Sequence, residues 1–297
     1  MNSSPKKVDA VLTGVSETAL LTLQVRANEA RRADSIIDDP KAIELVDSIE
    51  FDFAKFGFSR RQDMALRALA FDGATRSYLV DHPAATVVAL AEGLQTSFYR
   101  IDASGVSDQF RWLTVDLPPM IELRSKLLPP SDRVTVCPQS ALDYGWMDLV
   151  AGAAPAATFD AGAAPAATSG TESDGVFITA EGLLMYLQPD EAMGLITECA
   201  RRFPGGQMMF DLPPALFAAL IRRGVRTTSR YRVPPMPFSM SAAEAANLVN
   251  TVPGVRAVRN VPFPPGRGRV WNTVAWAVQR IPLFDPIRPA FTLLEFG

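Results

Sequence analysis

Residues 86–102 read TVVALAEGLQTSFYRID, and this stretch decides the fold class. The apolar, β-branched run at 86–91 is typical of a strand that is buried on both faces. It leads into a turn at Glu92 and Gly93, where a residue without Cβ lets a ligand approach the backbone closely. Because ligands of open α/β sheets bind beyond the carboxyl ends of the strands, this turn is a candidate binding site.

Four more runs of the same kind follow, and helical segments separate them. The runs are FRWLTV at 110–115, RVTVC at 133–137, GVFITA at 175–180 and QMMFDL at 207–212. LPPMIELRSKLL and PDEAMGLITECARRF between them have the length of crossover helices, and the second opens with a proline and acids that suit a helix N-terminus. This alternation predicts a doubly wound, parallel sheet.

The last part of the chain departs from this alternation of strands and helices. SAAE at 241–244 matches a capping box that opens a helix. We predict that 255–263 and 269–281 are two strands joined by a tight turn at PPGRG. The predicted fold class is therefore α/β, a Rossmann-like seven-stranded mostly parallel sheet with an antiparallel terminal hairpin strand. Such a hairpin distinguishes this predicted sheet from the all-parallel sheet of dinucleotide-binding proteins.

We expect a single domain over 1–297, with a helical part at 1–82 and the Rossmann-like core at 83–297. Ser16 and Asp39 are the predicted caps of the first two helices, the second with a proline directly after its cap. A proline- and arginine-rich segment at 212–240 predicts a helical lid. The alternative is a surface segment without a functional role. The sequence AGAAPAAT occurs at 151–158 and again at 161–168, which predicts a surface loop.

Composition excludes several function classes. The formal net charge of −3 gives no basic field for a nucleic acid backbone. Cys137 and Cys199 lack the spacing of zinc or redox sites, and the single histidine, His82, makes histidine-based metal sites and triads improbable, so no metal is expected. We find no signal peptide pattern and no apolar run long enough for a membrane span, and we expect a cytoplasmic protein.

Acidic side chains follow three of the predicted strands. The residues at these strand ends are Asp116 with Leu117, Leu142 with Asp143, and Glu181. Asp116 lies roughly 20 to 25 residues beyond the glycine turn, where a carboxylate can accept hydrogen bonds from both ribose hydroxyls, although it also suits the cap of the next helix. Asp143 can accept from an adenine amino group. Three acids without a phosphate-cradling glycine run suit a nucleoside that carries a cation.

Several segments, in one order, resemble the leucine carboxyl methyltransferase superfamily, in particular its tetracenomycin-type bacterial O-methyltransferases. The matching segments are ETAL, RANEAR, DDP, RALAFD, VVALAEGLQTSFYR, TVDLPPMIELRSKLLP, SALDYGWMD, AEGLLMYL and RFPGG. The resemblance covers roughly residues 16 to 297. It implies a methyltransferase that uses S-adenosyl-L-methionine and releases S-adenosyl-L-homocysteine.

The resemblance also implies a donor site, residue by residue. Arg67 falls on the family's arginine in a pattern close to R-T-x-x-F-D and is expected to meet the methionyl carboxylate. Asp116 is the implied ribose acid, and Glu181 is expected near the methionyl amino group. The other implied positions are Ala91, Glu92, Gly93, Leu117, Leu142 and Asp143. The family's G-x-G-L-D-T-R turn reads AEGLQTS here, so Ala91 replaces a glycine, and Glu92 is a hypothetical partner of the donor's ammonium.

The acceptor is expected to be a small molecule, such as a polyketide-like or other secondary metabolite. A carboxylate acceptor is ionised at neutral pH and needs no base, which fits a chain with one loop histidine. Methylation of a hydroxyl, with an acid or Tyr186 as base, stays open. The candidate acceptor contacts are Tyr186, Arg223 and Arg226. The alternatives are that Tyr186 only packs against its neighbours and that the two arginines are only solvated.

Two other classes are weighed against a methyltransferase. A degenerate relative that binds the nucleoside or a partner without efficient transfer remains open, because the glycine turn is altered. An NAD-type oxidoreductase would require G-x-G-x-x-G after the first strand, and AEGLQTSFYR lacks this pattern. The oligomeric state is left open.

Overall fold

A computed structural model describes residues 7–57, 61–150, 174–224, 226 and 228–297 of the protein. Its N-terminal part contains β1 (Val8–Asp9), α1 (Thr18–Ala30), α2 (Pro40–Ser48), β2 (Ile49–Glu50) and α3 (Asp63–Asp81). The predicted helices are thus present. Asp39 caps α2 as expected, because its side chain accepts from the Ala42 amide at 3.0 Å. The predicted Ser16 cap is wrong, since Glu17 occupies the cap position without a side-chain bond.

The core of the protein is a seven-stranded sheet with helices on both faces. Its elements in chain order are β3 (Thr86–Leu90), α4 (Ser97–Ala103), β4 (Arg111–Asp116), α5 (Pro118–Leu127), β5 (Val134–Pro138), α6 (Trp146–Val150), β6 (Val176–Ala180), α7 (Pro189–Arg202), β7 (Gln207–Leu212), α8 (Ala215–Arg222), α9 (Ala242–Ala246), α10 (Leu248–Thr251), β8 (Val255–Asn260), α11 (Arg269–Arg280) and β9 (Ala290–Phe296). The strand order is β5-β4-β3-β6-β7-β9-β8, and β9 alone of these seven runs antiparallel to its neighbours.

Alternating side chains of the central strands fill two separate cores. Val88 and Leu90 pack in the cluster that contains residues of α6 and α7. Val87 and Ala89 pack in the opposite cluster, which contains residues of α3 and α4. Because both faces of β3 are buried, its sequence is continuously apolar rather than alternating. The predicted mostly parallel sheet with one antiparallel terminal strand is confirmed.

The position of that antiparallel strand was predicted wrongly. Residues 269–281 form α11 instead of a strand, and the antiparallel partner of β7 and β8 is β9 at the chain's end. Trp271, Val274 and Val278 lie at i, i+3 and i+7, so they share one face of a helix, although the same run also alternates like a strand. This helical face lines the cavity described below.

The segment predicted as a lid contains α8 and then an irregular stretch up to the capping box of α9, in which Ser241 and Glu244 bond each other's backbone amides. The duplicated AGAAPAAT sequence lies outside the described residues. No helix in the described ranges is both long enough and apolar enough to cross a membrane.

Candidate active site

A cavity of about 850 Å³ lies at the carboxyl ends of the parallel strands, where open α/β sheets bind ligands. This volume is near the upper end of the roughly 300–1,000 Å³ that is usual for small-molecule sites. The wall formed by the strand ends is polar and carries Asp116, Glu181 and Asp211. A second part of the lining comes from α8, α11 and the segment between, and it includes the apolar residues Phe217, Ile221, Val233, Met236, Trp271 and Val278.

The turn after β3 is held by the strand-end acid of β4. The Gly93 amide donates to Asp116 Oδ2 at 2.7 Å, and the Leu117 amide donates to Oδ1 at 2.7 Å. Burial raises the pKa of Asp116 above its usual value, although these two amides favour the ionised form. Gly93 has a φ of 58°, and an added Cβ would lie 3.0 Å from Ala19 Cβ, so this position requires glycine. The turn and the acid therefore form one rigid unit.

Ala91 adopts the left-handed conformation with a φ of 49°, the one such non-glycine residue in the described part of the chain. Its amide donates to the Val115 carbonyl at 2.7 Å. A side chain with Cβ costs roughly 1–2 kcal/mol in this backbone region. The alanine at this motif position therefore stores strain beside the cavity.

One carboxylate oxygen of Glu92 is held by protein groups beside the turn. Its Oε2 accepts from Thr114 Oγ1 at 2.5 Å and lies 3.0 Å from Arg124 Nη2. Arg124 also donates to the carbonyls of Gly93 and Gln95, at 2.7 and 3.0 Å. Both charged side chains are buried. This pair holds the turn from below. The other oxygen, Glu92 Oε1, has no hydrogen bond partner in the described part of the chain, so a contact between Glu92 and the donor's ammonium stays a prediction.

A second cluster joins α3 to the ends of β6 and β7. Arg67 Nε donates to Glu181 Oε1 at 2.8 Å, and Arg67 Nη1 lies 3.7 Å from Asp211 Oδ2. Gln95 Nε2 donates to the same Glu181 oxygen at 2.5 Å. Burial raises the pKa of Asp211 to about 6, against the lowering effect of Arg67, and the Gly182 amide donates to Asp211 Oδ1 at 2.7 Å. A carboxyl with such a pKa in a cleft is a candidate for proton transfer.

A buried ion network lies behind the turn and ties the N-terminal helices to it. Asp39 accepts from Thr96 Oγ1 at 2.7 Å, Arg100 Nη1 at 2.8 Å and Arg26 Nε at 3.3 Å. Arg100 Nε also donates to Asp72 Oδ2 at 2.7 Å. Burial alone would raise the pKa of Asp39, but Arg100 and Arg26 lower it below its usual value. The RANEAR, DDP, RALAFD and SFYR segments thus meet in one structural network.

The structure brings most of the sequence-predicted residues to the cavity. Its walls include Arg67, Ala91, Glu92, Gly93, Asp116, Leu117, Leu142, Glu181 and Tyr186. Asp143 is exposed and outside this lining, and its Oδ1 accepts from the Gly145 amide at 3.3 Å. Arg223 and Arg226 are also exposed and outside it.

Sequence reasoning missed several charged residues, among them Asp211 in the cavity lining and Arg124 beside the glycine turn. Asp211 is the second-last residue of β7 and Asp116 is the last residue of β4, so a strand-end rule extended by one residue would have found Asp211. Arg124 gave no signal, because a basic residue in the middle of an amphipathic helix is ordinarily solvated. No group of three or more histidine, cysteine, aspartate or glutamate side chains suited to hold a metal ion occurs among the described residues.

A family model described as Leucine carboxyl methyltransferase matches residues 19–200, which include the glycine turn, Asp116 and Glu181. The chain belongs to the leucine carboxyl methyltransferase family. It is 32% identical over 250 residues to the tetracenomycin polyketide synthesis O-methyltransferase TcmP of Streptomyces glaucescens, covering 82% of each chain. The chain is therefore an S-adenosylmethionine-dependent methyltransferase of this type.

A more distant relative is the S-adenosyl-L-methionine-dependent methyltransferase dpfgK of Gibberella zeae, which is 24% identical over 237 residues and covers 74% of this chain and 73% of its own. Among solved structures, human N-acetylserotonin methyltransferase in complex with S-adenosylmethionine aligns at 10% identity with a TM-score of 0.44. That alignment covers 95% of this chain and 65% of the human one.

The residues present fit the methyl donor of this family. A sulfonium and an ammonium are cations, and the strand ends bring the carboxylates of Asp116, Glu181 and Asp211 into the lining of the cavity. Gln95 also has a buried Oε1 without a hydrogen bond partner in the described part of the chain. A buried acceptor of this kind is ready for a ligand donor.

Proposed function

We propose that the protein is an O-methyltransferase that transfers the methyl group of S-adenosylmethionine to a small molecule, with a carboxylate of a polyketide-like or other secondary metabolite as the foremost acceptor. One observation carries the proposal. The cavity joins a carboxylate-rich wall at the strand ends to an apolar wall made by α8 and α11. The first wall suits a cationic nucleoside and the second suits the body of an apolar acceptor.

The donor-binding roles follow from the positions of the side chains. Asp116, fixed by the Gly93 and Leu117 amides, is assigned to the ribose. Arg67 and Glu181 are assigned to the methionyl carboxylate and ammonium, since their ion pair presents both charges to the cavity. Leu142 and Asp143 are assigned to the adenine, with Leu142 lining the cavity and Asp143 just outside it.

S-adenosylmethionine supplies an electrophilic methyl group on a sulfonium, which an acceptor oxygen attacks in line. The protein contributes alignment and exclusion of water, and holding two reactants in place accounts for several kcal/mol of such a barrier. An ionised carboxylate has no proton to lose. Closure of the proposed 212–240 lid over a bound acceptor would keep water from this oxygen.

Tyr186 lines the cavity and is the proposed acceptor contact nearest to the donor wall. Arg223 and Arg226 are exposed where α8 ends and in the stretch after it. They contact an anionic acceptor only if the 212–240 segment closes as a lid, which we propose as the role of this segment.

Methylation of a hydroxyl is the second candidate, and Asp211 favours it. A hydroxyl must lose its proton during transfer, and a buried carboxyl with a pKa of about 6 that lines the cavity is ionised at neutral pH and suited to accept it. A third candidate is a degenerate relative that binds the nucleoside without efficient methyl transfer, because the glycine turn differs from the family pattern.

Two experiments on the full chain test the proposal. Calorimetry with S-adenosylmethionine and S-adenosylhomocysteine is expected to give binding of both, and binding of neither would overturn it. Incubation of a native extract with the protein and isotopically labelled donor, followed by mass spectrometry, is expected to label an ester or an ether. Donor binding without any labelled product would favour the degenerate relative.

A further inference from the structure

Tyr231 lies in the chain after α8 and lines the cavity together with Tyr186. Its side chain is 4% exposed. Its hydroxyl has no hydrogen bond partner within the part of the chain that the structure describes. Buried polar groups are nearly always paired, so an unpaired hydroxyl at a cavity wall requires an explanation.

The protein fixes the ring of this tyrosine firmly. Phe56 packs edge-on against it with ring centroids 4.8 Å apart, and the Tyr231 amide donates to Thr228 Oγ1 at 3.1 Å. Thr228 in turn donates to the Lys55 carbonyl at 2.6 Å. The ring and backbone are thus held by the N-terminal part of the protein, and only the hydroxyl is left unsatisfied.

We propose that Tyr231 binds the methyl acceptor by donating a hydrogen bond from its hydroxyl to an acceptor oxygen. The inference rests on the methyltransferase function proposed above and narrows its substrate class. The acceptor is a largely apolar molecule that presents a carboxylate or phenolate oxygen to this hydroxyl. Ile221, Val233 and Met236 of the same wall contact its apolar body.

The surroundings make Tyr231 a donor rather than a base. Burial raises the pKa of the Tyr231 hydroxyl, and the neighbouring Tyr186 and Glu17 raise it further. The phenol therefore keeps its proton at neutral pH. A neutral phenol donates a stronger hydrogen bond to an oxygen anion than to a neutral oxygen, which favours an anionic acceptor group.

The test uses the full chain loaded with S-adenosylhomocysteine and two fluorescent probes. These are 2-anthracenecarboxylate, which carries the oxygen, and 2-methylanthracene, which lacks it. Tyr231→Phe removes only the hydroxyl. Tyr78→Phe is the matched control, because Tyr78 is also buried at 4% exposure but does not line the cavity.

We expect Tyr231→Phe to weaken binding of 2-anthracenecarboxylate about tenfold or more, as for loss of a hydrogen bond to a charged group. Binding of 2-methylanthracene and the dissociation constant of S-adenosylhomocysteine are expected to stay within twofold. Tyr78→Phe is expected to change none of the three constants.

Equal affinity of the wild type and Tyr231→Phe for the carboxylate probe would overturn the inference, and so would failure of the wild type to bind either probe. If S-adenosylhomocysteine itself does not bind, the proposed function fails before the probes are added. The two failures are therefore distinguishable.

Discussion

Arg67 and Glu181 form a 2.8 Å ion pair across 114 residues of sequence, and this pair joins the helical N-terminal part to the core of the sheet. Gln95 from the glycine turn donates to the same Glu181 oxygen. Burial lowers the pKa of Arg67, but Glu181 and Asp211 outweigh it and raise that pKa above its usual value. The arginine is therefore permanently charged, and the proposed donor site is assembled from three separate elements.

Removal of a strand-end charge is expected to weaken donor binding. Asp116→Asn and Glu181→Gln each replace a charged acceptor by a neutral one, and loss of a charge-assisted bond costs about 1.5–3 kcal/mol. Titration calorimetry with S-adenosylhomocysteine is expected to show a loss of about tenfold or more. Glu122→Gln, an exposed acid on α5, is the matched control. Affinities within about twofold of the wild type for both site variants would contradict the assignment.

Ala91→Gly is expected to stabilise the protein. The left-handed φ of 49° strains alanine but not glycine, and the gain is about 1 kcal/mol after the entropy cost of glycine in the unfolded chain. Urea denaturation measures this change. Ala89→Gly in β3 is the control and is expected to destabilise, because that residue is buried within a strand. A fall in stability of Ala91→Gly would show that the strain is not real.

Arg124→Met is expected to destabilise the protein by about 3–5 kcal/mol, because it leaves the buried carboxylate of Glu92 without its cation. The double variant Arg124→Met with Glu92→Gln removes both charges and is expected to recover part of this loss. A double-mutant cycle from urea denaturation gives the coupling. Additive effects of the two single changes would contradict the pairing.

Stability is expected to depend on the protonation of Asp211. Its pKa is raised from 3.8 to about 6, so the folded protein binds a proton that the unfolded chain releases between these two values. The free energy of unfolding therefore falls as pH rises through this window and is flat above it. Asp211→Asn removes this dependence, and its stability relative to the wild type is expected to rise by up to about 3 kcal/mol from pH 4 to pH 7.

Denaturation curves at two salt concentrations serve as the control for this prediction, because a buried group is screened little by salt. A constant difference between Asp211→Asn and the wild type over the whole pH range would contradict the raised pKa.

Much of the fold was predictable because its signals are local. The apolar composition of the five runs from 86 to 212 itself indicates buried strands. The cap at Asp39 is recognisable because Pro40 follows it directly. The prediction of a strand at 269–281 was wrong because the sequence fits both patterns. Trp271, Val274 and Val278 have the spacing of one helix face, while apolar and polar residues also alternate as in a strand. For such a short run, tertiary context decides, and here a helix can line the cavity.

The site was predictable where a residue lies at the end of a strand, as Asp116 does, or directly after it, as Glu181 does. Partners that come from distant segments were not predictable in this way. Arg124 meets the glycine turn only because α5 packs beside it, and Tyr231 reaches the cavity only through the path of an irregular segment. Pair contacts of this kind depend on tertiary geometry, which a single sequence does not display.

The ion network of Arg26, Asp39, Asp72, Thr96 and Arg100 limits how this protein can be recombined with its relatives. A crossover at the 82/83 boundary would take the first three residues from one parent and the last two from the other. Any mismatch would leave a buried charge without its partner, at a cost of about 3–5 kcal/mol. Chimeras joined after α4, beyond Ala103, inherit the network whole, so productive exchange of acceptor pockets begins there.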